Sequence, residues 1–560
     1  VAAGVNITYK ILYNDAVAMT GGQPIDGQLT VAQLIEQLRG EGVKRIALVS
    51  DEPEKYPRAL HHAAGVTIHH RDELDAVQRE FREICGTTAI VYDQTCAAEK
   101  RRRRKKGAYP DPARRVFINE LVCEGCGDCG VQSNCLSVLP KETAFGRKRM
   151  IDQSACNKDY SCLKGFCPSF VTVEGGRLRK SRAVLAEVAL PTLPEPVLPA
   201  LERPWNTVVT GIGGTGVLTV SAILGMAAHL KGKGCTVLNQ SGLAQKFGPV
   251  VSHVRIGRRQ ADIHAVRVAA GDADLLLGCD LVVSAAGDPL AKVNIERSHA
   301  VVNDFESPTA AFTRDPDAVF PAEAMKARIR EEVGAGKTAF VDATAIATAL
   351  LGDAIAANLL LLGYAFQRGL VPLSRDAIER AIELNGVSIS FNRQAFLWGR
   401  HAAHDLRAVL AAAGLDAAVM PAKPGLEEVI ATRAAFLRDY QDEAWEARYR
   451  ALVEKTRAAE QALGAAHGFA LSDAVARSLF RLMSYKDEYE VARLYTEGSF
   501  QRALAQQFEG DYTLKFHLAP PLVARCDPVS GHPRKQEFGP AMLKVFGVLA
   551  KFRRLRGTRL

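Results

Sequence analysis

The 560-residue sequence has no run of about 20 apolar residues, the length that a membrane-spanning helix needs. Its most apolar stretch, residues 350–366, is interrupted by Asp353 and Asn358. It also lacks a positively charged start followed by an apolar segment, so we expect no secretory signal peptide. The sequence therefore predicts a cytoplasmic protein that does not associate with membranes.

The sequence has little net charge for its length, +9 at pH 7, and much of that charge falls in one run from Arg101 to Lys106. A charge confined to one short run does not predict a nucleic-acid-binding surface. The run is either a solvated linker or a patch that attracts an acidic protein partner. Apolar residues make up 48% of the chain, which excludes global disorder. A chain of this length should form several domains.

Cysteine is scarce outside one segment. Five of the 12 cysteines are scattered, and we expect them to be inert core thiols: Cys85, Cys96, Cys235, Cys279 and Cys526. The other seven lie between Cys123 and Cys167. Disulfides are rare in the cytoplasm, so a concentration of this kind indicates metal ligands.

The spacing within that segment predicts an iron–sulfur cluster. Cys123, Cys126 and Cys129 are separated by two residues each, which lets one loop place three thiolates around a cubane. Cys167, followed by Pro168, is the natural distant fourth ligand. Glycines between the cysteines permit the positive-φ backbone of such a loop. Structural zinc takes two separated pairs of cysteines and is the weaker alternative.

A second cluster is an open question in the sequence. Cys135, Cys156 and Cys162 remain after the first set is assigned, and the ferredoxin pattern requires one more ligand between the last two. The intervening residues are Asn-Lys-Asp-Tyr-Ser. Asp159 would supply the ligand, or the site would hold a three-iron cluster, or it would hold none.

A glycine-rich turn, Gly211-x-Gly213-Gly214-x-Gly216, lies between a predicted strand and a predicted helix. A helix N-terminus offers free N–H groups to a phosphate. An NAD site would need an acidic residue at the end of the next strand, but residues 238–241 read Leu-Asn-Gln-Ser. The turn therefore either packs the helix on the strand or binds another phosphate, such as that of coenzyme A, with NAD the least favoured reading.

Residues 14–23, Asn-Asp-Ala-Val-Ala-Met-Thr-Gly-Gly-Gln, follow an apolar strand. The loop combines an amide oxygen, backbone carbonyls and a glycine turn, and Mg²⁺ takes such oxygen ligands together with substrate phosphates. Taken alone, this pattern is more typical of a plain turn.

Together and in this order, these features resemble the 2-oxoacid:ferredoxin oxidoreductases, and in particular the long fused indolepyruvate ferredoxin oxidoreductases of bacteria. The loop at residues 14–23 resembles the second half of their thiamine-diphosphate motif. Residues 123–167 resemble their ferredoxin-like segment, and residues 208–255 resemble their gamma domain. The resemblance covers nearly the whole chain.

The resemblance implies an α/β multidomain protein with a helical C-terminal region. The expected parts are the C-terminal part of a thiamine-diphosphate-binding domain (1–98), a basic linker (99–115), a ferredoxin-like iron–sulfur segment (116–180), a Pro-rich linker (181–204), a Rossmann-like gamma domain (205–400) and a mainly helical domain (426–560).

The resemblance also implies roles for single residues. Asn14 and Ala16 would bind Mg²⁺, Thr20 and Gly21 would lie near the diphosphate, and the turn glycines Gly213, Gly214 and Gly216 would bind a cofactor phosphate. The other half of the thiamine motif and the catalytic glutamate are expected upstream, so we expect this chain to be the later part of the enzyme.

The implied reaction is the oxidative decarboxylation of an aryl 2-oxoacid, indolepyruvate, to its acyl-coenzyme A, with electrons passing through [4Fe–4S] to ferredoxin. We expect a homo-oligomer. Alternatives are the same chemistry on pyruvate or a branched-chain 2-oxoacid, a non-catalytic electron-transfer module, and an NAD-linked dehydrogenase.

Overall fold

The computed structural model describes residues 1–17, 25–179, 192–240, 248–309, 311–415, 424–464, 468–520, 524, 526, 531 and 533–556. They form two compact units. The first consists of Val1–Asp111 with short segments from residues 212–249, and the second contains the rest of the chain from Pro112 onward.

The first unit contains a parallel sheet with helices. Its strands, in the order β1-β4-β2-β3, are β1 (Ile7–Tyr13), β2 (Arg45–Ser50), β3 (Val66–His70) and β4 (Thr87–Asp93). Its helices are α1 (Val31–Gly40), α2 (Arg58–His61), α3 (Leu74–Arg82) and α4 (Ala97–Lys105). Val31 and Ile35 of α1 are buried with Ile46 and Leu48 of β2, because apolar residues at i and i+4 share one helix face.

The basic run forms the end of helix α4, where the sequence predicted a linker. Arginine and lysine are good helix formers, and this helix also gains intrahelical and longer ion pairs. The guanidinium of Arg102 lies 2.8 Å from Glu99, and that of Arg103 lies 2.8 Å from Asp15. Much of the local charge is therefore balanced within this unit.

The cysteine-rich segment of the second unit is built from short strands around one short helix. The elements are β5 (Arg114–Ile118), α5 (Asp128–Ser133), β6 (Val138–Lys141), β7 (Lys148–Ile151), β8 (Phe170–Glu174) and β9 (Arg177–Leu178). Strands β6 and β7 form an antiparallel hairpin, and β5 pairs antiparallel with β8.

The next part of the second unit is a six-stranded sheet covered by helices. Its strands are β10 (Trp205–Ile212), β11 (Gly234–Gln240), β12 (Pro249–Gly257), β13 (Leu275–Gly278), β14 (His299–Asn303) and β15 (Thr338–Val341). Its helices are α6 (Val217–Leu230), α7 (Leu281–Ser284), α8 (Gly287–Leu290), α9 (Ala311–Arg314), α10 (Ala322–Val333), α11 (Ala343–Leu351), α12 (Ala357–Gln367), α13 (Arg375–Asn385), α14 (Ile389–His404) and α15 (Leu406–Ala412).

This sheet departs from a dinucleotide-binding β-α-β arrangement. The strand order is β11-β12-β10-β13-β14-β15, with β10, β13, β14 and β15 parallel. Helix α6 leads from β10 to the edge strand β11, which pairs antiparallel with β12. In a dinucleotide-binding half, the helix instead returns the chain to a parallel strand. The α/β character was predicted, and the strand expected after α6 is β11, but β11 lies at the edge of the sheet and pairs antiparallel with β12.

The C-terminal part is helical, as predicted, but it also contributes strands. Its helices are α16 (Leu426–Tyr440), α17 (Glu443–Ala462), α18 (Ala470–Met483), α19 (Glu488–Thr496), α20 (Ser499–Gln507) and α21 (Met542–Leu549), and its strands are β16 (Phe508–Glu509), β17 (Thr513–Leu518) and β18 (Gln536–Phe538). Strand β17 pairs antiparallel with β8 and β18, giving the sheet order β18-β17-β8-β5. The C-terminal part therefore completes the sheet of the cysteine-rich segment.

Within the described ranges, no helix is both long enough and apolar enough to cross a membrane.

Helices α12 and α14 cross in close contact at Gly363 of α12 and Gly399 of α14. A Cβ at Gly399 would lie 1.8 Å from the carbonyl oxygen of Leu360. We expect Gly399→Ala to destabilise the protein by about 1–3 kcal/mol, because overpacking forces the helices apart. Gly547→Ala on α21 is the control, since open space surrounds that position. Urea unfolding of both variants checks this; equal midpoints would contradict the close crossing.

Candidate metal centre

The segment between β5 and β6, a loop followed by the short helix α5, carries the first three cysteines. The N–H of Gly125 donates to the Sγ of Cys123 at 3.3 Å, which turns the chain around that sulfur. Gly125 has a φ of +73°, and a Cβ there would lie 2.2 Å from the carbonyl oxygen of Arg147. This position therefore requires glycine for both backbone conformation and space.

The structure brings together the four thiols predicted as the first ligand set. Burial raises the pKa of the thiols of Cys123 and Cys126, and the nearby Cys167 thiol adds to the effect in both. Burial followed by repulsion from Cys167, Cys123 and Cys126 raises the pKa of Cys129 to about 12. A single buried thiol would show only the first effect, so these four sulfurs share one site.

The three remaining cysteines form a second group. Burial and the neighbouring Cys135 raise the pKa of Cys156. Burial raises the pKa of Cys162 strongly, with further contributions from Cys135, Cys156 and then Cys129. The grouping follows the crossover pattern of the sequence, in which Cys135 serves the second loop and Cys167 serves the first. Cys129 and Cys162 are where the two groups meet.

An apolar shell encloses both groups. Its buried members, from strands β5, β6, β7 and β8, are Val116, Ile118, Val138, Ile151 and Phe170. Gly165 lies directly against Cys129, and a Cβ there would be 3.0 Å from its Cα and Cβ. This packing leaves little room for water around the inner thiols.

Two cations on β7 face the first group. The side chain of Arg149 is buried, packs 4.5 Å from the centre of the Phe312 ring, and donates to the carbonyl oxygen of Pro316 at 3.0 Å. Burial lowers its pKa, while the thiols of Cys129 and Cys123 oppose that change. Burial also lowers the pKa of the neighbouring Lys148 to about 8. Buried cations of this kind are stable only beside negative charge.

The C-terminal part contributes a third cation and several fixed contacts. The Nζ of Lys535 lies 4.9 Å from the centre of the Phe170 ring and donates to the carbonyl oxygen of Leu163 at 3.3 Å. Burial lowers its pKa, and the thiols of Cys167 and Cys129 are the main opposing groups. Sequence reasoning missed Lys535 and Arg149, since neither belongs to a recognisable motif.

Two further contacts tie the C-terminal part to the ligand loops. The hydroxyl of Tyr495 on α19 donates to the carbonyl oxygen of Pro168 at 2.7 Å. The Nζ of Lys486 donates to the carbonyl oxygens of Val122 and Cys123, each at 3.3 Å. These bonds fix the backbone on either side of the first group.

The donor set fits an iron–sulfur cluster better than a single ion. Thiolates around one Zn²⁺ at about 2.3 Å converge to within about 4 Å of each other. Among the described residues, no three His, Cys, Asp or Glu side chains converge in that way. The thiols nevertheless lie close enough to influence one another's pKa, as at Cys129. Backbone N–H groups aimed at sulfur, as at Gly125, are typical of cluster sites.

The N-terminal loop is only partly described. Asn14 and the buried Ala16 follow β1, and Asp15 between them has a φ of +59°. Thr20 and Gly21 lie outside the described residues.

The glycine turn lies between β10 and α6, as the sequence predicted. Gly214 and Gly216 have φ values of +87° and +92°, and the N–H of Gly213 donates to the carbonyl oxygen of Gly248 at 2.8 Å. A Cβ at Gly211 would lie 2.5 Å from the side chain of Val217, so this glycine lets α6 approach β10. Helix packing thus accounts for one glycine of the four.

The five scattered cysteines differ in exposure, and two of them, Cys96 and Cys235, are half-buried. Cys279 is buried and burial raises its pKa to about 12, as an inert core thiol should behave. Cys85 and Cys526 are exposed, which differs from the expectation that they lie in a core.

Comparison with known proteins finds similarity in two parts of the chain. A family model described as "Pyruvate ferredoxin/flavodoxin oxidoreductase" matches residues 206–402, and a "Family of unknown function (DUF6537)" matches residues 426–560. The chain also aligns with the pyruvate oxidoreductase subunit PORC of Thermotoga maritima, at 23% identity over 36% of this chain and 96% of PORC, with a TM-score of 0.26.

Two curated relatives are more similar. The "Indolepyruvate oxidoreductase subunit IorB" of Thermococcus kodakarensis is 30% identical over 208 residues, 36% of this chain and 98% of the relative. The subunit of the same name from Pyrococcus horikoshii is 30% identical over 207 residues, with the same coverage.

The chain therefore belongs to the 2-oxoacid:ferredoxin oxidoreductases, a family of oxidoreductases. Within that family it belongs with the indolepyruvate oxidoreductases and carries part of such an enzyme, so the predicted family is confirmed.

The sheet shared with the C-terminal part predicts a pH-dependent stability. His517 on β17 is buried beside the Thr172 hydroxyl, at 3.3 Å. Burial, together with the weaker repulsion of Arg114, Lys535 and Lys515, lowers its pKa to about 4. In the unfolded chain His517 binds a proton near pH 6.5, whereas in the folded chain it stays neutral at that pH. The folded protein therefore loses stability as pH falls from 6.5 towards 4.

Between pH 7 and pH 5, we expect the free energy of unfolding of His517→Gln to fall by about 2 kcal/mol less than that of wild type. Urea unfolding at both pH values, with wild type alongside, measures this. The same pH-dependent loss in both proteins would mean that His517 titrates normally.

Proposed function

We propose that this chain is the electron-transferring part of an enzyme that oxidatively decarboxylates an aryl 2-oxoacid, indolepyruvate, to its acyl-coenzyme A. Electrons would pass to ferredoxin in the cytoplasm. The observation that carries this proposal is that seven cysteines form two groups inside one apolar shell. The two groups meet at Cys129 and Cys162. Pyruvate or a branched-chain 2-oxoacid is the alternative substrate.

Cys123, Cys126, Cys129 and Cys167 would hold a [4Fe–4S] cluster, which supplies a one-electron store when bound. The chain's own residues would stabilise the bound cluster in three ways. The apolar shell excludes water, Gly125 directs its N–H at sulfur, and buried Arg149 offsets the thiolate charge. Each of these features stabilises an anionic cluster in a buried place.

The surface beside the ligands supports transfer to a separate protein. Val131, Leu136 and Phe166 are exposed by 64%, 50% and 50%. Each lies within two residues of, or next to, a ligand cysteine: Cys129, Cys135 or Cys167. Exposed apolar side chains next to a redox site suit a transient electron-transfer partner, for which we propose ferredoxin.

Thiamine diphosphate, Mg²⁺ and coenzyme A are proposed from the family. Residues 1–98 would be part of the thiamine domain, with Asn14, Ala16, Thr20 and Gly21 near the diphosphate. Residues 205–400 would be the gamma domain, with Gly213, Gly214 and Gly216 at a cofactor phosphate. The relatives' printed name, indolepyruvate oxidoreductase, supports the aryl substrate.

Anaerobic purification followed by iron and sulfide counting tests the cluster. We expect Cys129→Ser to lose most of the iron of the first group, because this thiol is buried at its centre. Cys85→Ser is the matched control, since that thiol is exposed and outside both groups. Equal iron in wild type and Cys129→Ser would contradict the proposed ligand set.

A dye-reduction assay with 2-oxoacids, with and without coenzyme A, tests the reaction. Activity highest with indolepyruvate and dependent on coenzyme A supports the proposal. A chain that holds iron but shows no such activity, even in its complete enzyme, would instead be a non-catalytic electron-transfer module.

Lys535 predicts a shift in reduction potential. A cation beside the ligand sulfurs favours the more negative, reduced cluster. We expect Lys535→Met to lower the midpoint potential by about 59 mV, a tenfold change for one electron. Lys535→Arg should retain most of the wild-type value. Lys544→Met on α21 removes an exposed lysine and should change nothing. Potentiometric titration followed by EPR measures all three, and an unchanged Lys535→Met would refute this role.

A further inference from the structure

The two ligand loops repeat the same backbone 33 residues apart. In the first loop, the N–H of Gly125 donates to the Sγ of Cys123 at 3.3 Å. In the second, the N–H of Lys158 donates to the Sγ of Cys156 at 3.4 Å. Gly125 and Lys158 both have left-handed backbones, with φ values of +73° and +53°.

The correspondence continues to the end of each loop. Gly127 and Tyr160 are left-handed, with φ values of +81° and +63°, and each caps the short helix that follows. The helices begin at Asp128 in the first loop and at Ser161 in the second. The first turn closes in the same way, with N–H to carbonyl distances of 2.8 Å from Gly130 to Gly127 and 3.0 Å from Leu163 to Tyr160.

Two left-handed residues that are not glycine make the second loop unusual. Such a backbone is uncommon for lysine and is an outlier for tyrosine, and it persists only when the surroundings determine it. The Nζ of Lys158 donates to the carbonyl oxygen of Pro112 at 2.7 Å, and the hydroxyl of Tyr160 donates to that of Arg114 at 3.1 Å. The chain therefore holds the ligand-loop backbone without the glycines that normally permit it.

The repeat sets Asp159 at the position of Cys126. Both residues lie three positions after the first cysteine of their loop and three before the last, Cys129 or Cys162. Both are exposed. The residue two positions further on donates a hydrogen bond to each, from the Asp128 N–H to the Cys126 sulfur and from the Ser161 hydroxyl to the Asp159 carboxylate.

We propose that Asp159 is the fourth ligand of a second iron–sulfur cluster, whose other ligands are Cys135, Cys156 and Cys162. This inference rests on the proposed function and extends it to the site that the sequence left open. A carboxylate oxygen is a harder and weaker ligand for cluster iron than a thiolate. One iron of this cluster is therefore exchangeable, and the iron sites of the first cluster are not.

The exchange has a defined balance. A one-electron oxidant removes one electron from [4Fe–4S]²⁺, one Fe²⁺ leaves the carboxylate corner, and [3Fe–4S]⁺ remains on the three thiolates. Adding Fe²⁺ with a one-electron reductant reverses the step. In the test, ferricyanide is the oxidant and dithionite the reductant.

The experiment uses the anaerobically purified full chain. We expect about eight irons in the wild type, in two cubanes. We expect about one to be lost on titration with ferricyanide, with the EPR signal of a three-iron cluster appearing. Fe²⁺ and dithionite should restore the iron. Asp159→Cys should keep its full iron and give no three-iron signal. Asp159→Ala should show the three-iron signal as purified and fail to take up the missing iron.

A reciprocal variant controls for general damage to the loops. Cys126→Asp places a carboxylate at the matching position of the first loop. Combined with Asp159→Cys, it should move the exchangeable iron to the first cluster and leave the iron count unchanged.

The outcomes separate this inference from the proposed function. A wild-type chain without iron would end the proposed function itself. A chain with about four irons that Asp159→Cys does not change would leave the first cluster in place and overturn the second. An Asp159→Ala variant that takes up the last iron as readily as wild type would also overturn the role of Asp159 as a ligand.

Discussion

The structure depends on keeping seven thiols together in an apolar shell. Burial and mutual repulsion both disfavour the thiolate form, and they raise the pKa of Cys129 to about 12. Such a group is stable in ionised form only when positive charge lies among the sulfurs. In the proposed site, iron would supply that charge from within, and the buried cations supply it from outside. The glycine loops, Arg149 and the apolar shell all serve this requirement.

The C-terminal part belongs to the same requirement. It matches a family of unknown function, yet its strand β17 pairs with β8, which begins three residues after Cys167. Tyr495 bonds to the backbone at Pro168, and Lys535 faces thiols of both groups. A region with no recognisable chemistry thus has a definite physical task in this chain, which is to fix the ligand loops and add a cation beside them.

The grouping of the cysteines was predictable from the sequence because cluster spacing is a local property, and their role as ligands stays a prediction. Cys123, Cys126 and Cys129 need only their own loop, and the proline after Cys167 indicated the crossover. The equivalence of Asp159 and Cys126 was harder to see, since Lys158 and Tyr160 replace glycines that would have marked the loop. Only the backbone angles show that the two loops match.

Longer-range features were not predictable in the same way. The pairing of β17 with β8 joins residues more than 300 positions apart, and no turn signal or hydrophobic periodicity in the sequence predicts it. The edge position of β11 follows from its pairing with β12 rather than from the glycine turn before α6. The basic run was predicted as a linker because of its high charge. It is helical because arginine and lysine are good helix formers and because ion pairs to Glu99 and Asp15 balance part of the charge.

The central claim is that these thiols bind iron and sulfide, and X-ray absorption of the anaerobic protein tests it most directly. We expect an iron edge whose first shell is sulfur and whose second shell is iron, as in a cubane. A zinc edge with four sulfur neighbours and no metal–metal scattering would contradict it.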